Sequence, residues 1–382
     1  MSGIYIHIPF CRQACHYCNF HFSVSQRNIN PFLTALLKEV EMREHFFKEP
    51  SGSEKPVIES VYVGGGTPSV LTTKSLDAIL NKVSRYFNIT RDAEITVETN
   101  PDDLNLNMLK EYKAIGVNRV SIGTQSFHKS DLRYMNRIHS PEQALESIVN
   151  SKKAGFDNIT IDLIYGTPRL SDLLWQKNLE RVVEFDIPHV SSYALTVEPK
   201  TPLEYMIRKG KASPVDEEQS ARQFELMLQV LQQHGYLHYE ISNFARPGYF
   251  SRHNLLYWTG ASYLGLGPSA HSHLPGKRSW NVSNTTAYIR SINDGILPQE
   301  TELLSETQQF DEYVMTSLRT MWGCNLKYIK EKWGEHFDKK LEHQAEKHIR
   351  NGMLIKKEGH LILSDRGKLF ADGIASDLFR TD

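Results

Sequence analysis

Before residue 196 the chain alternates six short apolar stretches of strand character with turns and longer segments that carry apolar residues at helical spacing, and a further such helix follows near 217. The strand-like stretches are 4–8, 58–63, 93–98, 117–122, 158–164 and 188–195. Between them, 31–47, 73–87, 105–115, 141–154 and 172–185 read as helices, the first with Asn30 as N-cap before Pro31. Such alternation predicts a parallel sheet covered by helices. Eight units would predict a closed barrel; six predict an α/β fold of the partial (β/α)6 barrel type, or an open doubly wound sheet.

At 382 residues the chain is long enough for more than this unit. We divide it into a barrel at 1–215, a barrel-completing region at 216–298 and a C-terminal domain at 299–382. A long amphipathic helix begins near 217, carrying Phe224, Leu228 and Leu231. Residues 236–285 are rich in Gly, His, Asn, Tyr and Trp and read as loops and short strands near a site. Pro298 and the polar stretch 299–308 read as a linker. Helices at 309–321, 325–333 and 337–351, a hairpin over 353–363 turning at Lys356-Lys357-Glu358-Gly359, and a helix at 365–379 make a small winged-helix-like α+β domain. That architecture raises DNA binding, but 325–351 holds seven Lys/Arg against five Asp/Glu, too balanced for a phosphate-binding face. We read it as a structural appendage.

The whole chain is equally balanced, with 44 Lys plus Arg against 45 Asp plus Glu. It has no electrostatic footprint for nucleic acid or an anionic membrane. No apolar run approaches the ~18 residues of a spanning helix, and no basic-then-apolar leader opens the sequence. The expectation is a cytoplasmic protein that meets a membrane, if at all, through partners.

Three of the four cysteines, Cys11, Cys15 and Cys18, lie in one loop directly after the first strand. A secreted disulfide scaffold would spread them out. Three thiolates on a tight loop suit three corners of an iron–sulfur cubane, leaving one iron open. Zinc with His7, His16 or His21 as fourth ligand is an alternative, as is a Cys15-x-x-Cys18 redox pair. Cys324 reads as a buried structural thiol.

Other polar groups gather at strand ends. Gly64-Gly65-Gly66-Thr67-Pro68 follows the second strand, Glu98 closes the third, and Gln125 follows the fourth. Asp162 lies near the end of the fifth and Ala194 near the end of the sixth. In a β/α barrel these positions converge on one mouth. The glycines allow close backbone approach and would free N–H groups to hold a carboxylate. The carboxylates could hold a ribose hydroxyl or an amine.

Taken together, these residues resemble a known family. Tyr5-Ile6-His7-Ile8-Pro9-Phe10-Cys11, the C-x3-C-x2-C loop and Gly-Gly-Gly-Thr-Pro resemble radical S-adenosylmethionine (SAM) proteins. Within these, the likeness is to the group of oxygen-independent coproporphyrinogen III oxidase and the heme chaperone HemW. Glu98-Thr99-Asn100-Pro101, Gly123-Thr124-Gln125-Ser126-Phe127, Asn136-Arg137-x-His139 and Asp162-Leu-Ile-Tyr-Gly-Thr-Pro extend it over nearly the whole chain. The resemblance implies a [4Fe–4S] cluster on Cys11, Cys15 and Cys18, whose open iron chelates SAM and donates the electron that cleaves it. It implies SAM contacts from Tyr5, Gly65 and Glu98, with Tyr17 packed near the site and His271 near the adenosine. In the oxidase a second SAM lies at positions matching Gly66, Thr67, Gln125, Arg137, Asp162 and Ala194.

Two departures separate this chain from the oxidase and match the HemW type. The oxidase has a fourth cysteine where Phe20 stands, and an extension before its first strand. A third feature agrees: His253-Asn254-Leu255-Leu256-Tyr257-Trp258 matches an H-N-x-x-Y-W motif linked to heme binding. Imidazole is a normal axial ligand of heme iron, and Tyr257 and Trp258 offer flat apolar surface. His238 and His273 are other candidate ligands. The sequence thus predicts a heme-binding chaperone that hands its cargo to hemoproteins. The alternatives are oxidative decarboxylation of coproporphyrinogen and radical chemistry on an unrelated substrate.

Overall fold

The computed structural model describes residues 2–47 and 57–380. Strands β1 (Ser2–Ile8), β2 (Val57–Gly65), β3 (Asn88–Thr99), β4 (Arg119–Gln125), β5 (Asn158–Tyr165) and β6 (His189–Ala194) lie side by side in chain order. Every neighbouring pair is parallel. Covered on both faces, such strands are apolar or fully buried; all seven residues of β4 are buried. Ile4, Ile6 and Ile8 face the helical layer and are fully buried. Tyr5 and His7, offset by one residue, point to the other face.

Side-chain caps fix where the covering helices begin. Thr72, Asn105, Ser140 and Ser171 each accept from the backbone N–H three residues on. The first helix departs from expectation, running Ile29–Met42 from an Asn28 whose side chain makes no cap bond. Pro31 falls inside its first turn, where a missing N–H costs nothing. Two short helices, Lys129–Tyr134 and Pro202–Arg208, lie in segments the periodicity left blank.

The sheet continues past both ends of the predicted set. Beyond β6 come two antiparallel strands, β7 (Leu237–Glu240) on the edge and β8 (Asn243–Ala245) against β6. Beyond β1 comes β9 (Ser262–Leu266), parallel, then β10 (His271–Leu274), β11 (Lys277–Asn281) and β12 (Gln299–Leu303), antiparallel. The polar stretch read as a linker is therefore the edge strand β12, followed by Ser305 capping the helix Glu306–Leu318 in a capping box. Its polar character reflects an exposed edge.

The sheet is curled. Tyr5 on β1 and Tyr193 on β6 line one chamber, although five inter-strand steps would separate them by roughly 24 Å in a flat sheet. The partial barrel expected from six units is the fold, with extra strands on both flanks.

The C-terminal part has its own core, including Phe310, Val314, Leu341, Ile374 and Leu378. The helix Glu306–Leu318 leads to β13 (Cys324–Asn325), helices Leu326–Trp333 and Glu335–Arg350, and the hairpin β14 (Leu354–Lys357) and β15 (His360–Leu363). The sheet order β13-β15-β14 is that of a winged helix. The final predicted helix is broken into Asp365–Lys368 and Ala371–Asp377 at Phe370, whose backbone leaves helical values. Arg319 ties this part to the barrel, pairing with buried Glu240 at 3.1 Å and lying 5.0 Å from the Trp258 ring. No helix among the described residues is long and apolar enough to cross a membrane.

Candidate functional site

The loop after β1 is closed on itself and pinned across the barrel mouth. Ser23 N–H donates to Pro9 O at 2.9 Å and Cys11 N–H to Ser23 O at 3.0 Å. His16 N–H reaches Met135 O at 3.1 Å, while the Asn136 side chain donates to Ala14 O at 2.7 Å. Asn136 takes a left-handed backbone (φ 58°) to do so. Held this way, Cys11, Cys15 and Cys18 are half-buried free thiols lining one cavity of about 410 Å³. That volume lies within the ~300–1,000 Å³ of small-molecule sites. Among the described residues no three His, Cys, Asp or Glu side chains converge on a single-ion position. A cubane instead binds each thiolate at a separate iron. The zinc alternative also lacks its fourth ligand: His7, His16 and His21 lie outside the cavity lining and hydrogen-bond to His21 O, Tyr134 O and Thr285 Oγ1. Burial pushes the Cys11 thiol up to about 11, opposed by the Thr67 hydroxyl donating to it at 3.5 Å. Burial raises the Cys18 thiol as well. Buried thiols of this kind suit a metal group whose positive charge draws off their protons.

Each glycine of the triplet is required by a close neighbour. A Cβ at Gly64 would meet the Glu98 carboxyl at 2.9 Å, one at Gly65 the His7 ring at 2.7 Å, and one at Gly66 the Phe10 carbonyl at 2.6 Å and Cys11 Sγ at 3.0 Å. Gly65 also has φ +116°. The N–H groups expected to be free are already engaged. Gly65 N–H donates to Glu98 Oε2 at 3.1 Å, Gly66 N–H to Ile8 O at 2.8 Å and Thr67 N–H to Phe10 O at 2.7 Å. The triplet lets the end of β2 pack closely against Glu98, His7 and, at Gly66, the Phe10 carbonyl and the sulfur of the first cysteine.

Glu98 and Asp162 reach the floor of the cavity from β3 and β5. Glu98 accepts from the Tyr62 hydroxyl at 2.8 Å and Asp162 from Ser121 Oγ at 3.4 Å. Burial, then the neighbouring Asp162 charge, pushes Glu98 up to about 7. Burial likewise raises Asp162 to about 6. Neither carboxylate is in a salt bridge among the described residues, although Arg119 and Arg137 lie near enough to Asp162 to oppose its rise.

Arg137 crosses the mouth. Its guanidinium donates to Cys15 Sγ at 3.3 Å, to Asn100 Oδ1 at 2.7 Å and to Gly123 O at 2.9 Å, while its buried Nε has no partner. Gln125 turns into the cavity through a left-handed backbone (φ 61°) at an irregularity of β4. Thr67, Tyr17 and Ala194 complete the lining from the predicted set.

The remaining predicted residues lie elsewhere. Tyr5, His253 and Tyr257 line a second, inner chamber of about 260 Å³, which shares Glu98, Asp162 and Tyr193 with the outer cavity. His253 is 1% exposed, and both ring nitrogens are engaged, with Ser60 Oγ at 2.9 Å and the Tyr257 hydroxyl at 3.0 Å. Trp258, on another face of the helix Arg252–Trp258, lies against Arg319 with its indole N–H unpartnered. His238 is also fully engaged, by Ile241 O and Lys368 Nζ. His273 bonds Ala261 O through Nδ1. His271 is exposed on β10, stacked on Trp280, and does not line the cavity where it was expected beside the adenosine. Its strand belongs to the flanking extension.

Asn100, Tyr62 and Tyr193 were missed. Asn100 stands two residues after Glu98 and holds Arg137. Tyr62 precedes Gly64 by two and so shares its face of β2, a signal readable from strand alternation.

Comparison with known proteins gives concordant matches. Residues 5–182 match the Radical SAM superfamily, and residues 304–370 the HemN C-terminal domain. The heme chaperone HemW of Bacillus subtilis is 33% identical, the alignment covering 98% of each chain. The heme chaperone HemW of Mycobacterium tuberculosis is 34% identical over 98% of this chain and 94% of its own length. The mitochondrial radical S-adenosyl methionine domain-containing protein 1 of Bos taurus is 30% identical over 96% of this chain and 83% of that one. Among solved structures, coproporphyrinogen III oxidase (HemN) from Escherichia coli superimposes with a TM-score of 0.84 at 23% identity, covering 99% of this chain and 90% of that one. That likeness is one of fold.

Proposed function

The chain belongs to the radical SAM superfamily, in the group of the heme chaperone HemW, and from that premise we propose that it holds a [4Fe–4S] cluster and SAM in the outer cavity and carries heme to hemoproteins. One observation carries the cofactor assignment: three free thiols and two unpaired carboxylates line the same cavity. When bound, the cluster and SAM supply one-electron cleavage of a sulfonium carbon–sulfur bond; the protein supplies position, charge and exclusion of water.

The residues divide this work. Cys11, Cys15 and Cys18 hold the cluster. Thr67 and Arg137 donate to two of the sulfurs and so stabilise negative charge there. Glu98 and Asp162 receive the cationic part of SAM. Burial holds both carboxyls above the ordinary carboxylate range, and a cation bound beside them would favour their charged forms. Gly65 and Gly66, without side chains, let the backbone approach the ligand, with Gln125 and Ala194 closing the sides. Tyr17 packs over the cysteines, and Phe20, 69% exposed at the mouth, puts an apolar ring where a fourth cysteine would stand in the oxidase.

Heme, as cargo, is assigned to the segment His253–Trp258 on the strength of the motif and of the named relatives. The test is an anaerobic hemin titration of cluster-reconstituted protein, followed at the Soret band, with His253→Ala beside wild type. Saturable, near-stoichiometric binding that weakens in the variant is expected. No saturable binding to wild type would end the chaperone reading and leave a radical SAM protein with another substrate.

A further inference from the structure

His253 has no free nitrogen in this structure, so iron can reach it only after a hydrogen bond to Ser60 or Tyr257 is given up. What could trigger that release lies on one strand. Ser60, Tyr62 and Gly64 alternate along the inner face of β2. Ser60 holds His253 Nδ1. The Tyr62 ring stacks on the His253 ring at 5.1 Å and 28°, while its hydroxyl donates to Glu98 Oε1 at 2.8 Å. Gly64 lies so close that a Cβ would touch the same carboxyl at 2.9 Å. One ring therefore separates the carboxylate that lines the outer cavity from the imidazole that lines the inner chamber.

The inner chamber gives this ring somewhere to go. It is bounded mainly by hydroxyls, carboxylates and imidazole, from Tyr5, Ser191, Tyr193 and Tyr257 together with Glu98 and His253. Polar space of this kind holds water that can take over a hydrogen bond when a side chain moves. A cation arriving at Glu98 competes directly with the Tyr62 hydroxyl for the carboxylate oxygens.

We propose that Tyr62 is a positioning residue that couples cation binding at Glu98 to release of His253, so that SAM in the outer cavity controls access of heme iron to this imidazole. The coupling rests on the heme-chaperone reading above and gives SAM a role in cargo handling that does not require its cleavage. Coupling between two sites is reciprocal, so heme must change SAM affinity by the same factor.

Two measurements test it. In the first, hemin is titrated into anaerobic, cluster-reconstituted protein with and without saturating SAM, in wild type and Tyr62→Phe. Phenylalanine keeps the stacked ring and removes the hydroxyl. Wild type is expected to bind hemin at least ~5-fold more tightly with SAM, within the usual range of allosteric factors. In Tyr62→Phe the factor should fall below ~2. Saturable hemin binding that SAM leaves unchanged in wild type, or an undiminished factor in Tyr62→Phe, overturns the coupling. In the second, amide hydrogen exchange of residues 252–258 is followed on adding SAM without hemin. SAM is expected to speed exchange there in wild type and not in Tyr62→Phe; no change in wild type overturns the proposal. Failure of hemin to bind at all defeats the chaperone reading, and the exchange measurement still decides the coupling.

Discussion

The outer cavity and the inner chamber share a wall of Glu98, Asp162 and Tyr193, yet they are built in opposite ways. In the inner chamber the donors are matched to acceptors: Tyr5 to His7, Tyr62 to Glu98, His253 to Ser60 and Tyr257. In the outer cavity they are not. Three thiols crowd together with the hydroxyls of Thr67 and Tyr17 and the Arg137 guanidinium, the Arg137 Nε is unpartnered, and a phenylalanine ring stands in solvent at the mouth. Buried polar groups in proteins are normally satisfied, so the place where they are left open is where a ligand is expected to complete them. The satisfied chamber next to it is scaffold first, and any binding there must begin by breaking something.

The largest effect that would sharpen this contrast is on the metal. Cys18→Ala should lower bound iron and visible absorbance after reconstitution more than tenfold, because two thiolates leave the cubane underliganded. The melting temperature of the cluster-free protein should stay within a few degrees, since Cys18 is only half-buried. Retention of iron at the wild-type level would break the assignment of the outer cavity.

The inner scaffold should behave the other way. Glu94 and Arg119 are 5% and 2% exposed and pair at 3.2 Å; Glu94 also accepts from the backbone N–H groups of Arg252 at 3.3 Å and His253 at 3.2 Å. Glu94→Ala leaves a buried guanidinium uncompensated and is expected to cost about 3–5 kcal/mol in urea unfolding. Cluster uptake by the fraction that folds should be unchanged. A loss below about 1 kcal/mol would mean that the helix Arg252–Trp258 is not anchored here.

The same division decides what the sequence could reveal. β1 to β6 were legible because each is an apolar run ended by a turn or a polar strand end; Cys11, Cys15 and Cys18 after β1, and Gly65, Gly66, Thr67, Glu98, Gln125, Asp162 and Ala194 at the ends of β2 to β6, all line the outer cavity. That register needs only period-2 alternation and the barrel rule. The flanking strands were legible only in part: β7 to β11 fall within 236–285, read as loops and short strands, but their places in the sheet and the strand β12 were not foreseen. β12, Gln-Glu-Thr-Glu-Leu, has the polarity of a loop because its outer edge is unpaired, and β10 carries His271 away from the cavity. Tyr62 and Asn100 escaped for a different reason. Alternation along β2 puts Tyr62 on the face of Gly64, but the roles of both residues depend on partners 36 and 37 residues away, Glu98 and Arg137, which no local pattern identifies.

A smaller effect follows from the shared wall. Glu98 and Asp162 sit at about 7 and about 6, above the ordinary ~4 of carboxylates, so the folded state binds their protons more tightly than the unfolded chain does. Their stabilising contribution is complete below about pH 4 and is lost as pH rises through 6 to 7. Buried His253, lowered to about 3, runs oppositely: its contribution is lost as pH falls below about 6.5. The difference between Glu98→Gln and wild type cancels the histidines. In cluster-free protein the variant should gain on wild type by about 2 kcal/mol between pH 5 and pH 8, read from unfolding at each pH. A flat difference would place Glu98 in water and remove the case for a cation-binding floor.

The smallest effect tests the rule at its far end. Cys324 is a thiol like the other three, but it is fully buried in the C-terminal core, 3.2 Å from Ser317 Oγ, and burial pushes it up to about 12. It is satisfied, remote from both cavities and closed to metal. Cys324→Ala removes one buried sulfur and is expected to cost about 1 kcal/mol, the scale of a small cavity. Iron content and any SAM-dependent hemin binding should equal those of wild type. If iron fell in this variant, the distinction between open and satisfied thiols would fail, and the C-terminal domain would have to communicate with the cluster loop across its Arg319–Glu240 contact with the barrel.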